Sequence, residues 1–298
     1  MFSVPIERRH LVHFLAVVEE GSISGAARRL GLAQPSVSQA IRELEREVGP
    51  SLFQRRKGMR VTSAGRALIG PARRALRALD SAKAAVDRVG RLVTGEVDMA
   101  VVTGFAIHPL VPLLTAFHSE HPGVQIRIVD ADPTGAGFAL LDRGEVELLL
   151  HDHPPPIHGY HEVVLGSRRA VAVFPPDFGD LPDEVSLDHI AGLPLVAGPA
   201  PGQSMRVRIN EMLAGRGLPP FRPVVETPHH QTILPLVLSG VCVAIVPEEE
   251  GALAEALGAV VRPLDFSFER SYAIYSRREV LSPAATELLR TAGALAPR

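Results

Sequence analysis

Cysteine is almost absent: Cys242 is the only one in 298 residues. No internal disulfide can form, and no Cys-x-x-Cys redox or metal pair exists. Its neighbours Val241, Val243, Ala244 and Ile245 make a buried structural thiol the expectation. Long apolar runs are also missing. The longest, Ile233 to Pro247, is broken by Pro235, Ser239 and Gly240 and falls short of the roughly 20 residues a membrane span needs. The start does not read as a secretion signal, because Glu7, Arg8, Arg9 and His10 precede a short apolar stretch ending at Glu19 and Glu20. A cytoplasmic chain with no membrane partner is expected. There is no Gly-x-Ser-x-Gly elbow and no phosphate loop of the Gly-Lys-Ser/Thr kind, so neither an enzyme nor a cofactor is expected. Ten of the twelve histidines lie after residue 95, with His151, His153, His158 and His161 close together. They sit around Pro154, Pro155 and Pro156, where side chains splay rather than converge, so no metal site is expected.

What is present is uneven. Hydrophobic residues at 46% and a net charge of −2 describe an ordinary folded protein. Residues 1–95, however, hold 17 Lys and Arg against 8 Asp and Glu, a balance of +9, while the remainder holds 14 against 25, a balance of −11. A basic front third on an acidic remainder suggests one part that meets a polyanion and another that avoids it.

Three short helices can be read in the first fifty residues. Leu11, Phe14, Leu15 and Val18 make one apolar stripe, ended by Gly21. Ser22 or Ser24 can cap a second helix, with Ala26, Ala27 and Leu30 inward and Gly31 at its end. Pro35 suits the first turn of a third, with Val37, Ile41, Leu44 and Val48 inward and Gly49 at its end. The short gap from Gly31 to Gln34 is the spacing of a helix-turn-helix. The exposed face of the third helix carries Ser36, Ser38, Gln39 and Arg42, groups that can reach base edges from a helix start lying in a major groove. Arg55, Arg56, Lys57 and Arg60 around Gly58 read as a basic hairpin, or wing, that would neutralise phosphates. A three-helix bundle that binds no nucleic acid is the alternative, and the charge balance disfavours it.

The run Gly21-Ser22-Ile23-Ser24-Gly25-Ala26-Ala27, then Leu30, Gln34-Pro35-Ser36-Val37-Ser38, Ile41, Leu44-Glu45, Gly49, Leu52-Phe53, Arg55, Thr62 and Ala64-Gly65, resembles the LysR-type transcriptional regulators. The resemblance implies double-stranded DNA with a near-palindromic operator as partner. It places Ser24, Gln34, Pro35, Ser36, Ser38, Gln39 and Arg42 on the DNA-reading surface and Arg55, Arg56, Lys57 and Arg60 on the wing. RNA polymerase is left open as a further partner.

From Thr62, a candidate cap, to about Val89 the chain reads as one helix with Leu68, Ala72, Ala75, Leu79, Ala82, Val86 and Val89 on a stripe. At ~1.5 Å per residue it would span roughly 40 Å. A stripe that long exceeds what a small wing domain can cover, so pairing with a second copy is expected; packing on its own C-terminal part is the alternative. The resemblance implies the former, as homodimer or homotetramer. Pro71 interrupts the hydrogen-bond ladder and can kink the helix.

Beyond Gly95 strands alternate with helices, the mark of an α/β fold with a mainly parallel sheet. Strands are read at Val97–Val102, Val124–Val129, Val146–Leu150, Ala170–Phe174, Pro194–Ala197, Val224–Glu226, Val241–Val246 and Tyr272–Tyr275. Helices are read at 109–118, 136–143, 204–214, 231–239, 249–257 and 283–293. The expected fold class is α/β overall: a winged helix-turn-helix at 1–61, a linker helix at 62–92, and at 93–298 a two-lobed, periplasmic-binding-protein-like domain. The resemblance implies the crossing, with lobe I about 96–165 and 269–298 and lobe II about 166–268. Cys242 stands where that family often has glycine.

Ligands of open α/β sheets sit at strand carboxyl ends and helix N-termini. That rule selects Thr103-Gly104-Phe105, Pro133-Thr134-Gly135 and Gly202-Gln203-Ser204, with Thr227 facing the same cleft. The candidate effector residues are Thr103, Gly104, Phe105, Thr134, Gln203, Ser204 and Thr227, and the expected effector is a small organic anion. His229 and His230 read as a surface pair. A pure solute carrier would leave the basic front third unexplained, and an architectural DNA binder would leave the two-lobed part without a purpose.

Overall fold

The computed structural model describes residues 5–54, 59–87, 95–131, 137–152, 155, 158–198, 205–278 and 281–296, with the side chains of 80–87 outside the description. Three helices open the chain: α1 Arg8–Glu20, α2 Ile23–Leu30 and α3 Gln34–Val48. Gly21 and Gly31 end the first two at φ 61° and 66°, a left-handed conformation glycine adopts without a Cβ penalty. Ser22 is the cap of α2; its Oγ accepts the Gly25 N–H at 3.0 Å. Phe14, Val17, Ala26, Val37, Ile41, Leu44, Leu52 and Phe53 form one buried cluster. The strands β1 Phe53–Gln54 and β2 Arg60–Val61 pair antiparallel beside it. Glu45 on α3 binds this hairpin to the helices, accepting the N–H groups of Leu52 and Phe53 at 2.8 and 3.3 Å.

Thr62 then caps α4 Ser63–Asp87, accepting the Gly65 N–H at 3.0 Å. The 25-residue helix runs through Pro71 without ending, although that residue offers no N–H to the Ala67 carbonyl. Leu68, Ile69, Ala72 and Leu76 pack on the N-terminal cluster. A second face of α4 rests on the chain's own C-terminal part, where Arg74 and Arg77 donate to the carbonyls of Asp142 and Gly144 at 3.2 and 3.1 Å. Both readings of the linker thus keep a place: Ala75 and Leu79, on the expected pairing stripe, remain exposed in the single chain.

The first lobe is built from β3 Gly95–Val102, α5 Leu110–Glu120, β4 Val124–Ala131, α6 Gly137–Asp142 and β5 Leu148–His151. β3 pairs parallel with β4 and with β5. The chain then leaves along β6 Tyr160–Phe174. The second lobe follows: α7 Leu187–Gly192, β7 Val196–Ala197, α8 Met205–Gly215, β8 Val225–Glu226, α9 Ile233–Leu238, β9 Ala244–Pro247, α10 Glu248–Ala256 and β10 Val260–Pro263. β11 Glu269–Arg277 returns to the first lobe, and α11 Pro283–Leu295 covers its sheet.

β11 pairs antiparallel along its whole length with the Tyr160–Arg169 part of β6. One end of β11 pairs with β5, while the far end of β6 pairs with β9 and β10. The two lobes therefore share crossing strands, with a register shift at Tyr272/Ala273 where the ribbon passes between them. The pairing is parallel inside each lobe, as at β3–β4 and β7–β8, and antiparallel wherever a crossing strand joins. The mainly parallel sheet expected from strand–helix alternation is thus a mixed one. β6 starts ten residues before the strand read from sequence, and β10 was not anticipated; Glu162, Ser167, Arg168 and Arg169 obscure the apolar signal of the first half of β6. Cys242 is buried, and the turn before it is made by Gly240 at φ 81°.

Candidate nucleic-acid interface and ligand cleft

On α3 the inward residues Val37, Ala40, Ile41 and Leu44 are buried, while Gln34, Pro35, Ser36, Gln39 and Arg42 are exposed and Ser38 is half-buried. Exposed Ser24, on α2, donates to the Gln34 side-chain oxygen at 3.2 Å, joining the two helices across the turn. The row is pre-ordered by its own hydrogen bonds. Arg42 donates to Ser38 Oγ at 2.9 Å and to Gln39 Oε1 at 2.8 Å, and Gln39 donates to Glu43 at 2.7 Å. Arg60 is exposed on β2. Arg55, Arg56 and Lys57 lie outside the described residues.

Between the lobes lies a cavity of about 640 Å³. Thr103, Gly104 and Phe105 after β3 line it from one side, and Thr227 after β8 from the other. Thr134, Gln203 and Ser204 lie outside the described residues. On the second lobe, Met205, Ile209, Phe221, Ile233 and Ile245 give the cavity an apolar stretch of wall.

The charged lining was not foreseen: Asp130, Asp152, Arg168, Arg206 and Arg270, together with His230. Asp152 directly follows β5, so the carboxyl-end rule could have found it. Arg168 and Arg270 sit where β6 and β11 cross between lobes, close to the residues at which the crossing was placed. Most of these groups are already matched. Arg270 pairs with Asp152 at 2.6 Å, Arg206 with Glu226 at 2.6 Å, and His230 with Glu250 at 2.9 Å. His230 therefore lines the cleft rather than forming part of a surface pair.

Arg168 differs. It donates to the Gly104 carbonyl at 2.8 Å and lies 3.9 Å above the Phe105 ring, and among the described residues no carboxylate bonds to it. Burial pulls its guanidinium below the ordinary value, opposed by the more distant Glu250, Glu249 and Asp152. Thr103 donates its hydroxyl proton to Asp130 at 2.7 Å. Thr227 Oγ1 accepts the His229 N–H at 3.1 Å.

For a metal, the described residues bring together Glu120, His121 and Glu287, with ligand atoms within 4.8 Å of one another. Arg290 already binds both carboxylates, at 3.2 and 2.6 Å, so the group reads as an ion-pair network. Among the histidines named from sequence, His151 is buried in β5 against Phe138, and His161 is exposed on β6. No helix among the described residues is long and apolar enough to cross a membrane.

Comparison with known proteins fits this arrangement. Residues 8–66 match the bacterial regulatory helix-turn-helix protein of the lysR family, and residues 90–296 match the LysR substrate binding domain. The chain is 29% identical over 255 residues to the nitrogen assimilation regulatory protein Nac of Escherichia coli, covering 85% of this chain and 81% of that one. It is 29% identical over 289 residues to the regulator IlvR of Caulobacter vibrioides, covering 95% and 96%. A full-length OxyR variant from Pseudomonas aeruginosa superposes with a TM-score of 0.78 at 19% identity, covering 98% and 96%. The chain belongs to the LysR family: it is a transcriptional regulator, not an enzyme, with a DNA-binding helix-turn-helix joined to a two-lobed effector-binding domain.

Proposed function

We propose that α3 enters the major groove and that Gln34, Ser36, Ser38, Gln39 and Arg42 read base edges there, with Ser24 and Pro35 at the backbone. Arg60, with Arg55, Arg56 and Lys57, contacts phosphate. The division of labour follows residues 1–61 for DNA, 62–92 for pairing of two copies and 93–298 for the effector. Two recognition helices related by a two-fold axis then meet the halves of a near-palindromic operator. The exposed Ala75 and Leu79 support a pairing face on α4. The setting is the cytoplasm, and RNA polymerase is a natural further partner of a DNA-bound regulator.

The effector in this reading is a small organic anion held between the lobes. The observation that carries it is Arg168, a half-buried cation in the cleft to which no described carboxylate bonds. A carboxylate on the guanidinium, joined by the Thr227 hydroxyl and by Thr134, Gln203 and Ser204, would complete it. Occupancy shifts a population: the ligand favours one lobe closure over another by its difference in affinity, and closure changes how the paired DNA-binding parts sit.

The test is binding to the DNA flanking its own gene, against random DNA, across a salt series, repeated with carboxylate probes. Tight, salt-sensitive preference for the native fragment, altered by at least one carboxylate and not by that carboxylate in the Arg168→Gln variant, is the expected result. Equal weak binding to both DNAs would overturn it.

A further inference from the structure

The polar lining of the cleft is segregated by hydrogen-bonding capacity. An ionised carboxylate only accepts, so the Thr103 hydroxyl, 2.7 Å from Asp130 Oδ1, must spend its single proton there. What Thr103 and Asp130 then show to the cavity is acceptor oxygen alone: a hydroxyl oxygen beside a carboxylate. Asp130 forms no ion pair with any described cation. Next to Thr103 in the chain, Gly104 receives the Arg168 guanidinium on its carbonyl, and that group can only donate. An acceptor pair carrying a negative charge and a donor group carrying a positive one thus flank one turn, Thr103-Gly104, and do not neutralise each other. Every other described charge on the wall has a partner: Asp152 has Arg270, Arg206 has Glu226, and His230 has Glu250.

Thr103 and Asp130 are exposed and Arg168 is half-buried, so all three are open to a molecule that enters the cleft. A purely anionic ligand would satisfy Arg168 but bring its own charge beside Asp130. A cation would do the reverse. A molecule with both signs on neighbouring atoms satisfies both. Opposite the turn, Met205, Ile209, Phe221, Ile233 and Ile245 present apolar side chains, and Arg206 and His230 beside them are already paired, so the rest of the ligand meets a largely apolar surface.

Resting on the reading of this cleft as the effector site, we infer that the effector is a zwitterionic α-amino acid with an apolar side chain, its ammonium on Asp130 and Thr103 and its carboxylate on Arg168. Thr103 is therefore an acceptor for the ammonium rather than a donor to the carboxylate. Asp130 is the residue that separates amino acids from simple organic acids.

The experiment uses the purified full-length chain and the twenty amino acids at millimolar concentration, read by melting temperature and then by calorimetry. Each amino acid that binds is compared with the same molecule lacking the amino group and with its amide. At least one apolar amino acid should raise the melting temperature, and its desamino acid and its amide should each bind about tenfold more weakly or worse. Asp130→Asn keeps the acceptor for Thr103. It should cost about tenfold in affinity for the amino acid while leaving the desamino acid within about threefold. Arg168→Gln should weaken both ligands. If desamino acids bind as tightly as amino acids and depend on Arg168, the zwitterion is wrong and the organic-anion reading stands. If neither class binds, both fail. A variant Asp130→Asn that binds the amino acid as the parent does overturns the assignment of the ammonium.

Discussion

Arg77 on the linker helix points its Nε at Glu147 Oε1 from 3.7 Å, and both side chains are out of water, 17% and 2% exposed. Glu147 is otherwise engaged by Ser282, whose N–H and hydroxyl donate to it at 2.7 and 2.9 Å at the cap of α11. Arg77 Nε has no hydrogen-bond partner, so the pair is close enough to attract and too far to be satisfied. Glu147 immediately precedes β5 and the cleft residue Asp152 immediately follows it. All four residues of that strand are buried. One short central strand therefore carries a linker contact at one end and a cleft contact at the other.

Burial raises the Glu147 carboxyl above its ordinary range, outweighing Ser282 and Arg77. A carboxyl whose folded pKa exceeds its unfolded value binds its proton more tightly when folded. Its stabilising contribution is therefore full below the unfolded value and is lost as pH rises. Glu147→Gln keeps an oxygen for the Ser282 N–H, meets the Ser282 hydroxyl with an amide N–H that donates where the carboxylate accepted, and cannot titrate. Its stability relative to the parent should grow as pH rises from the ordinary carboxylate value toward neutrality. Urea unfolding across that range checks this, and a difference flat with pH would refute it.

Gly70 lies where α4 meets the first lobe. A Cβ there would stand 2.7 Å from the Arg143 carbonyl oxygen, which is backbone and cannot swing aside. Gly70→Ala should cost about 1–3 kcal/mol in stability by overpacking. Hydrogen exchange should rise at Arg143 and Gly144, the groups α4 covers. Unchanged exchange there would mean that the contact is not kept in solution.

The exposed Leu79, at 48%, has no described neighbour to cover it in the single chain. If α4 pairs with a second copy, Leu79→Asp buries a charge in that interface and should shift the protein toward monomer at micromolar concentration. Light scattering after gel filtration decides; an unchanged mass would place the interface elsewhere.

On DNA, Gln39→Ala should relax sequence preference more than it weakens binding to random DNA. It also frees Arg42 and Glu43 from the row they share. Arg55→Ala should weaken binding to all sequences and lower the salt slope by about one. Equal losses on operator and random DNA for both variants would show that the roles are divided differently.

Much of the DNA-binding part was legible because its information is local. Gly21, Ser22, Gly31, Pro35 and Thr62 act on the backbone within a few residues, and the apolar stripes repeat at helical spacing, so caps, ends and buried faces follow from order along the chain. The strand–helix alternation of the C-terminal part is local in the same way, and so is the placement of Thr103, Gly104 and Phe105 at a strand end. The charged lining of the cleft is not. Arg168 and Asp130 meet the same turn although 38 positions separate them, and Arg270 reaches Asp152 from a strand more than a hundred residues later. Arg77 finds Glu147 only after the linker helix has settled on its own lobe. Nothing in the spacing of such residues announces the pairing, because a long-range contact depends on how whole elements pack. Patterning alone settled which elements form, where they end and which faces they bury. Only the tertiary structure decided which charges meet a bonded partner and which do not.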